Sequence, residues 1–377
     1  MSTTEFPAPA DTVTTGDDDR RQADAAALAE TLFDGVKASM DVLTVYLGVR
    51  LGLYEALADG EARTPGQVAE RAAVHPRYAR EWLEQQAAAG VLAVGRDHDD
   101  PRLRSFRLPA GHRDVLLDEE HPAYLGSAPQ FLTGIADVLP KLLRCYRTGD
   151  GVPYGAYGTA VRQGIAGMNR PGYSSALASD WLPALPDVHA RLAAGERVDV
   201  LDLGCGSGWS AISLAQAFPN ARITGVDLDE PSIADARSHA ARQGVADRVA
   251  FHVGDAARSG HGGFDLVCVF EALHDMADPV GVLASVRESL REGGVLLVAD
   301  EKVNERFEAP APVMEQFAYA ASVLHCLPAT RAEGAVEDAG TVLRPPTVRE
   351  YGRRAGYRTV EPLGVEHGMW NFYRFDA

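Results

Sequence analysis

The sequence predicts an α/β protein in two parts. The C-terminal part is an open, mostly parallel sheet closed by an antiparallel hairpin, and a largely helical domain precedes it. Three observations carry this. Val198, Val200, Leu201 and Leu203 form an apolar run that breaks at Gly204, Gly206 and Gly208. A stretch with Ala211, Ile212, Leu214 and Ala215 at helical spacing follows, so the segment reads as strand, glycine turn, helix. Further apolar runs recur at 221–226, 249–253, 264–270 and 295–299, as parallel strands of a wound sheet do. Two alternating stretches, 358–363 and 369–375, then read as the closing hairpin, with Trp370 and Phe372 on its core side.

The glycine turn is the element around which the rest is arranged. Glycines allow a tight turn and close backbone approach to a ligand, and the helix start offers free N–H groups. Dinucleotide enzymes share such turns, so the flanking acids matter. Asp202, two residues before the first glycine, would repel a pyrophosphate and hold an ammonium group. Asp227 ends the next strand nineteen residues past Gly208, where it would accept hydrogen bonds from ribose hydroxyls. Asp255 follows the third strand and would take an exocyclic adenine amine. Over roughly residues 170–300 this pattern resembles the class I S-adenosylmethionine (SAM)-dependent methyltransferases, whose sheet is Rossmann-like. The resemblance implies SAM as cofactor, held by Asp202, Gly204, Cys205, Gly206, Gly208, Asp227, Leu228, Asp255, Ala256, Phe270 and Glu271.

At 377 residues the chain has room for two or three domains. Its net charge of −17 argues against nonspecific nucleic-acid or anionic-membrane binding, because phosphates would be repelled. Four cysteines (145, 205, 268, 326) are scattered without a Cys-x-x-Cys pair, which suits reduced thiols in the cytoplasm. No apolar stretch approaches a membrane span and no signal pattern opens the chain. A soluble, cytoplasmic protein is expected.

Residues 1–24, rich in Thr, Asp, Pro and Ala, predict a disordered tail. Helical spacing begins at Ala25 and runs to about Leu57. Thr64-Pro65 caps a short helix through Ala72, and a turn at Val74-His75-Pro76 leads to a second helix ending at Gly90. Segments 91–94 and 105–108 pair as a hairpin wing. A winged helix reads DNA through its second helix, but Arg77 and Arg80 are answered by Glu81 and Glu84, and the wing loop carries Asp97, Asp99 and Asp100. The other use of such a module is dimerisation. The arrangement resembles small-molecule O-methyltransferases of plants and actinobacteria, in which the winged-helix half packs against its twin and partly closes the partner's site. That resemblance implies a homodimer with residues 25–120 as dimerisation domain, in a setting of secondary metabolism. Residues 121–175 read as a helical linker and pocket segment, with Tyr154, Tyr157, Asn169 and Arg170 as candidate pocket residues, and 176–377 as the SAM-binding domain.

The fourth strand runs straight into Glu271-Ala-Leu-His-Asp275. Ligands of an open parallel sheet sit beyond the carboxyl ends of its strands, so His274 lies where an acceptor would meet the cofactor. Leu-His-Asp resembles the position of the catalytic base in plant-type O-methyltransferases, although Met276-Ala277-Asp278 stands where those enzymes carry a Trp-containing segment. A histidine near neutral pKa removes a hydroxyl proton as oxygen attacks the methyl group. His325 lies on a helix that Pro328 should end. His274, Asp275 and His325 together form a set able to hold iron or zinc, resembling the metal-dependent methyltransferases of α-keto acids, which methylate carbon. Two further readings belong to other classes: a DNA-binding regulator that senses SAM, and a scaffold with a dead site, which the intact glycines and Asp227 oppose.

Overall fold

The structure is a computed structural model that describes residues 16–255, 262–337, 340 and 342–377. Helix α1 (Gly16–Arg50) begins well before Ala25, so residues 16–24, expected within the tail, are helical. Asp17, Asp18 and Asp19 occupy its first turn, where carboxylates complement the helix dipole, and Ala25–Ala27 are strong helix formers. Residues 1–15 lie outside the described residues. Helix α2 (Pro65–Arg71) starts at a capping box between Thr64 and Gln67. In α3 (Pro76–Ala88), the His75 ring accepts a hydrogen bond from the Arg77 amide. Strands β1 (Ala93–Arg96) and β2 (Ser105–Arg107) pair antiparallel as the wing. The core beneath holds Tyr54, Leu57, Val68, Leu83 and Phe106. Gly48 is required there, since a Cβ would stand 2.4 Å from the Tyr54 ring and 2.5 Å from Trp82.

Three helices lead to the catalytic half: α4 (Ala110–Leu117), α5 (Ala128–Thr148) and α6 (Gly158–Ser175). Within the segment expected as a helical linker and pocket, α6 runs through the glycines around Asn169 and includes Pro171. Those glycines serve packing. A Cβ on Gly164 would lie 2.6 Å from the Phe131 amide nitrogen, and one on Gly167 would lie 2.3 Å from the Ser127 hydroxyl. Close crossing of two helices, rather than a turn, is why small residues stand there.

The sheet is assembled from α7 (Pro186–Ala193), β3 (Asp199–Leu203), α8 (Trp209–Ala217), β4 (Arg222–Asp227), α9 (Glu230–Arg242), β5 (Val249–Val253), β6 (Phe264–Phe270), α10 (Pro279–Ser289) and β7 (Leu290–Glu301). After β7 come α11 (Val313–Ala321), α12 (Leu327–Ala332), α13 (Pro345–Arg354), β8 (Thr359–Pro362) and β9 (Trp370–Asp376). Strand order is β5-β4-β3-β6-β7-β9-β8. β3, β4, β5, β6 and β7 run parallel, and β9 is antiparallel to both β7 and β8. The order reverses at β3, and β4 and β6 flank it, so a crevice opens beyond the carboxyl ends of these strands. Helices cover both faces. One apolar layer holds Trp181, Phe270, Trp370 and Phe372, and the other holds Leu201, Val267, Leu296 and Phe375.

Pro328 does not end its helix. Ser322–Cys326 form one π-helical turn joining α11 to α12, and the Val323 and Leu324 carbonyls, which lie where the missing Pro328 N–H would bond, accept from the Tyr146 and Tyr157 hydroxyls. Among the described residues no helix is long and apolar enough to cross a membrane.

Candidate active site

The turn after β3 holds all three glycines at positive φ: Gly204 at +68°, Gly206 at +50° and Gly208 at +81°. Their reasons differ. A Cβ on Gly204 would press on Ala272 and one on Gly208 on Phe251 and Ala236, whereas one on Gly206 would meet nothing within 4 Å. Gly206 is therefore the glycine that faces open space. Its amide donates to Asp227 Oδ2 at 2.8 Å, and the Asp229 amide donates to Asp227 Oδ1 at 2.8 Å. Burial pushes the Asp227 carboxyl up. Asp202 is buried and accepts a 2.5 Å hydrogen bond from the Ser210 hydroxyl. Burial pushes it up to about 7, while Ser210 works in the opposite sense. Beside Asp227, the Leu228 side chain is 58% exposed. A carboxylate in want of a cation, an acid at a strand end, an exposed aliphatic side chain and an open glycine fit the ammonium, ribose and adenine of SAM.

The remaining residues of the expected cofactor set stand differently. Cys205 is buried in the core, its amide donates to Val226 and its carbonyl accepts from Gly208, so it shapes the turn. Phe270 is likewise a core residue, against Tyr173 and Trp181. Asp255 is exposed just past β5. Ala256 lies outside the described residues.

Glu271, next after β6, has φ +51°, a conformation that non-glycine residues adopt at functional positions more than elsewhere. It accepts a hydrogen bond from the Asn169 amide group, which ties α6 to the site. Burial pushes both the Glu271 and the Glu301 carboxyls up.

His274 lies on the short turn Leu273–Asp275 and is 2% exposed. Its Nδ1 is 2.7 Å from Asp300 Oδ1 at the end of β7, and its backbone N–H donates to Asp300 Oδ2 at 3.3 Å. Nε2 lies 3.4 Å from Asp275 Oδ1. Burial opposes a charged ring, but the Asp300 and Asp275 carboxylates outweigh it and hold the imidazole well above its usual range. Asp300 is not among the site residues the sequence predicts. Its position across β6–β7 depends on strand register, which a linear reading lacks.

The His274–Asp275–His325 set does not assemble as expected. The donors that converge, all within 4.8 Å of one another, are those of His274, Asp275 and Cys326. The reason is the π turn, which brings Cys326 to the cluster and leaves the His325 ring among Phe131, Tyr154 and Tyr157, at centroid distances of 5.7, 5.6 and 4.6 Å. Tyr154 and Tyr157 thus pack against His325, and Tyr157 belongs to the hydrophobic core there. Arg170 does not join them: it stacks on Trp209 at 3.8 Å and pairs with Glu119 and Glu120.

Comparison with known proteins agrees with this architecture. Residues 195–345 match the family described as methyltransferase domain, and residues 39–118 match the Rv2258c-like winged HTH domain. A ubiquinone biosynthesis O-methyltransferase of Aromatoleum aromaticum is 32% identical over 191 residues, half of this chain and 73% of that protein. The tetracenomycin polyketide synthesis 8-O-methyl transferase TcmO of Streptomyces glaucescens is 29% identical over 274 residues, covering 68% of this chain and 74% of its own. Human N-acetylserotonin methyltransferase, solved in complex with SAM, superposes with a TM-score of 0.68 at 17% identity over 93% of this chain and 97% of that chain, a likeness of fold. With a glycine turn at the switch point of its sheet and a relative matched over most of its length, the chain belongs to the class I SAM-dependent methyltransferases and is an enzyme of that family with an N-terminal winged helix-turn-helix domain.

Proposed function

We propose that this enzyme methylates a hydroxyl oxygen of a small-molecule acceptor, with His274 Nε2 as the general base and Asp300 as the residue that positions it. The observation that carries the reading is the 2.7 Å contact between His274 Nδ1 and Asp300 at the carboxyl ends of β6 and β7, beside the glycine turn. A carboxylate on Nδ1 fixes the ring and its tautomer, leaving the Nε2 lone pair for an acceptor proton. When bound, SAM supplies an electrophilic methyl group on a sulfonium centre. Asp202 and Asp227 hold its ammonium and ribose, and Gly206 leaves the space it enters. The relatives named above are O-methyltransferases of ubiquinone biosynthesis and of polyketide synthesis, which supports oxygen as the acceptor atom.

A pH–rate profile tests the base. A base acts deprotonated, so kcat/KM rises with pH through the His274 pKa. Because Asp300 and Asp275 raise that pKa, the rise falls above the ordinary imidazole value of 6.5. In Asp300→Asn the limb moves down towards 6.5 and kcat falls. A wild-type limb at or below 6.5, or one that Asp300→Asn leaves in place, would sink the reading.

The winged-helix half serves dimerisation in this reading. Leu28, Leu32, Val36, Met40, Leu43 and Leu47 are exposed on α1, a stripe at spacings of three and four that only a second helical surface would cover. Its charges do not suit DNA: Arg77 pairs with Glu81, Arg104 with Glu84 at 2.8 Å, and Arg102 with Asp100 at 2.7 Å. Light scattering should find two chains per particle. Val36→Glu combined with Met40→Glu removes about 1.5–3 kcal/mol of burial per side chain and should weaken the dimer at least about 100-fold. A wild-type monomer would refute it.

A further inference from the structure

We propose that Cys326 Sγ, His274 Nε2 and the Asp275 carboxylate form a binding site for one zinc ion, and that zinc there and base catalysis by His274 exclude one another. The exclusion rests on the base reading above; the binding site does not.

The geometry comes first. The three donor atoms lie within 4.8 Å of one another. His274 Nε2 and Asp275 Oδ1 stand 3.4 Å apart, yet Asp275 Oδ1 is buried and has no hydrogen-bond partner. With Nδ1 directed at Asp300, Nε2 and Asp275 Oδ1 are turned towards each other, so an ion that displaces the Nε2 proton is held by both atoms. Zinc ligands at about 2.0–2.1 Å and at a tetrahedral angle stand about 3.4 Å apart, so that spacing needs no rearrangement.

Ligand chemistry selects the ion. A thiolate, an imidazole and a carboxylate suit zinc, whereas magnesium and calcium prefer oxygen alone. Three protein ligands leave a fourth position open. Asp300 behind His274 completes the carboxylate–histidine–metal arrangement that orients metal-binding imidazoles and raises their basicity. The site is also reachable, because the Asp275 side chain is 34% exposed. The π turn that delivers Cys326 is a feature found often at functional sites, and next to it the buried His325 Nε2 has no hydrogen-bond partner. Binding releases the Cys326 thiol proton and the His274 Nε2 proton to solvent. The Nε2 lone pair then belongs to the metal and cannot take an acceptor proton.

The test uses the full-length protein, freed of metal by chelator and titrated with zinc and separately with cobalt(II) as a spectroscopic stand-in. One ion per chain is expected, with a near-ultraviolet sulfur-to-cobalt charge-transfer band. Cys326→Ser abolishes the band, and Asp300→Asn weakens zinc binding about 10–100-fold. SAM binding, measured by calorimetry, persists in both variants and shows that they fold. Zinc abolishes wild-type methyl transfer to small hydroxylated acceptors. No saturable binding by protein that still binds SAM, or a band that survives Cys326→Ser, would overturn the site. Full activity or activation with zinc bound would overturn the exclusion alone. A His274→Gln enzyme active without metal would instead count against the base reading.

Discussion

His274→Gln should lower kcat about 10²–10⁴-fold, the range of a lost general base, while SAM binds as in the wild type. The split follows from the geometry. His274 contacts Asp300 and Asp275, whereas the residues proposed to hold the cofactor are Asp202, Gly206 and Asp227 on the β3 and β4 side. Gln retains a side chain able to hydrogen-bond Asp300, so the buried carboxylate is not orphaned, a defect that costs about 1–3 kcal/mol or more for a charged group. The measurement is transfer of labelled methyl from SAM to a panel of phenols and alcohols, beside calorimetry of SAM binding. Unchanged kcat would show that the proton leaves by another route. Joint loss of kcat and SAM binding would mean that the substitution damaged the crevice, and the variant would then support nothing about the base.

Gly206→Val should have the reverse signature: SAM affinity falls at least about 100-fold, or roughly 2.8 kcal/mol, and the fold survives. A β-branched side chain at φ +50° costs about 1–2 kcal/mol, which a domain of this size tolerates. No protein atom lies within 4 Å of the new Cβ, so the added bulk projects into the space assigned to the cofactor. Gly208→Val is the informative control. Its Cβ would stand 2.6 Å from Phe251 and 2.8 Å from Ala236, so that variant should lose stability as well as binding. Thermal melting beside calorimetry separates the two. If Gly206→Val bound SAM normally, the cofactor would have to lie elsewhere in the crevice.

Much of the architecture was legible because it is encoded locally. The strand, glycine turn and helix around Gly204–Gly208, the bounds of β5 and β6, the wing and the closing hairpin follow from apolar period and from glycine and proline chemistry. Such signals depend on neighbours in sequence. Trp370 and Phe372, read as core from alternation alone, are core. The errors have one kind of cause. Within the expected helical linker, the pocket role given to Asn169 and Arg170 was read from nearby glycines, and only the crossing with α5 shows Gly164 and Gly167 as packing residues. Pro328 looked like a helix end, but the helix continues past it because the Tyr146 and Tyr157 hydroxyls satisfy the Val323 and Leu324 carbonyls.

The site divides in the same way. The amino-acid order alone determined which side chains could serve: acids at strand ends, glycines in the turn, and a histidine following β6. Which of them meet was decided by tertiary structure, because contact between chemical groups depends on strand register and helical phase. The register of β6 against β7 brings Asp300 to His274 across 26 residues of chain. One extra residue in a helical turn changes which of His325 and Cys326 points at the cluster, since a side chain's direction advances by about 100° per residue of α-helix and the π turn resets that phase.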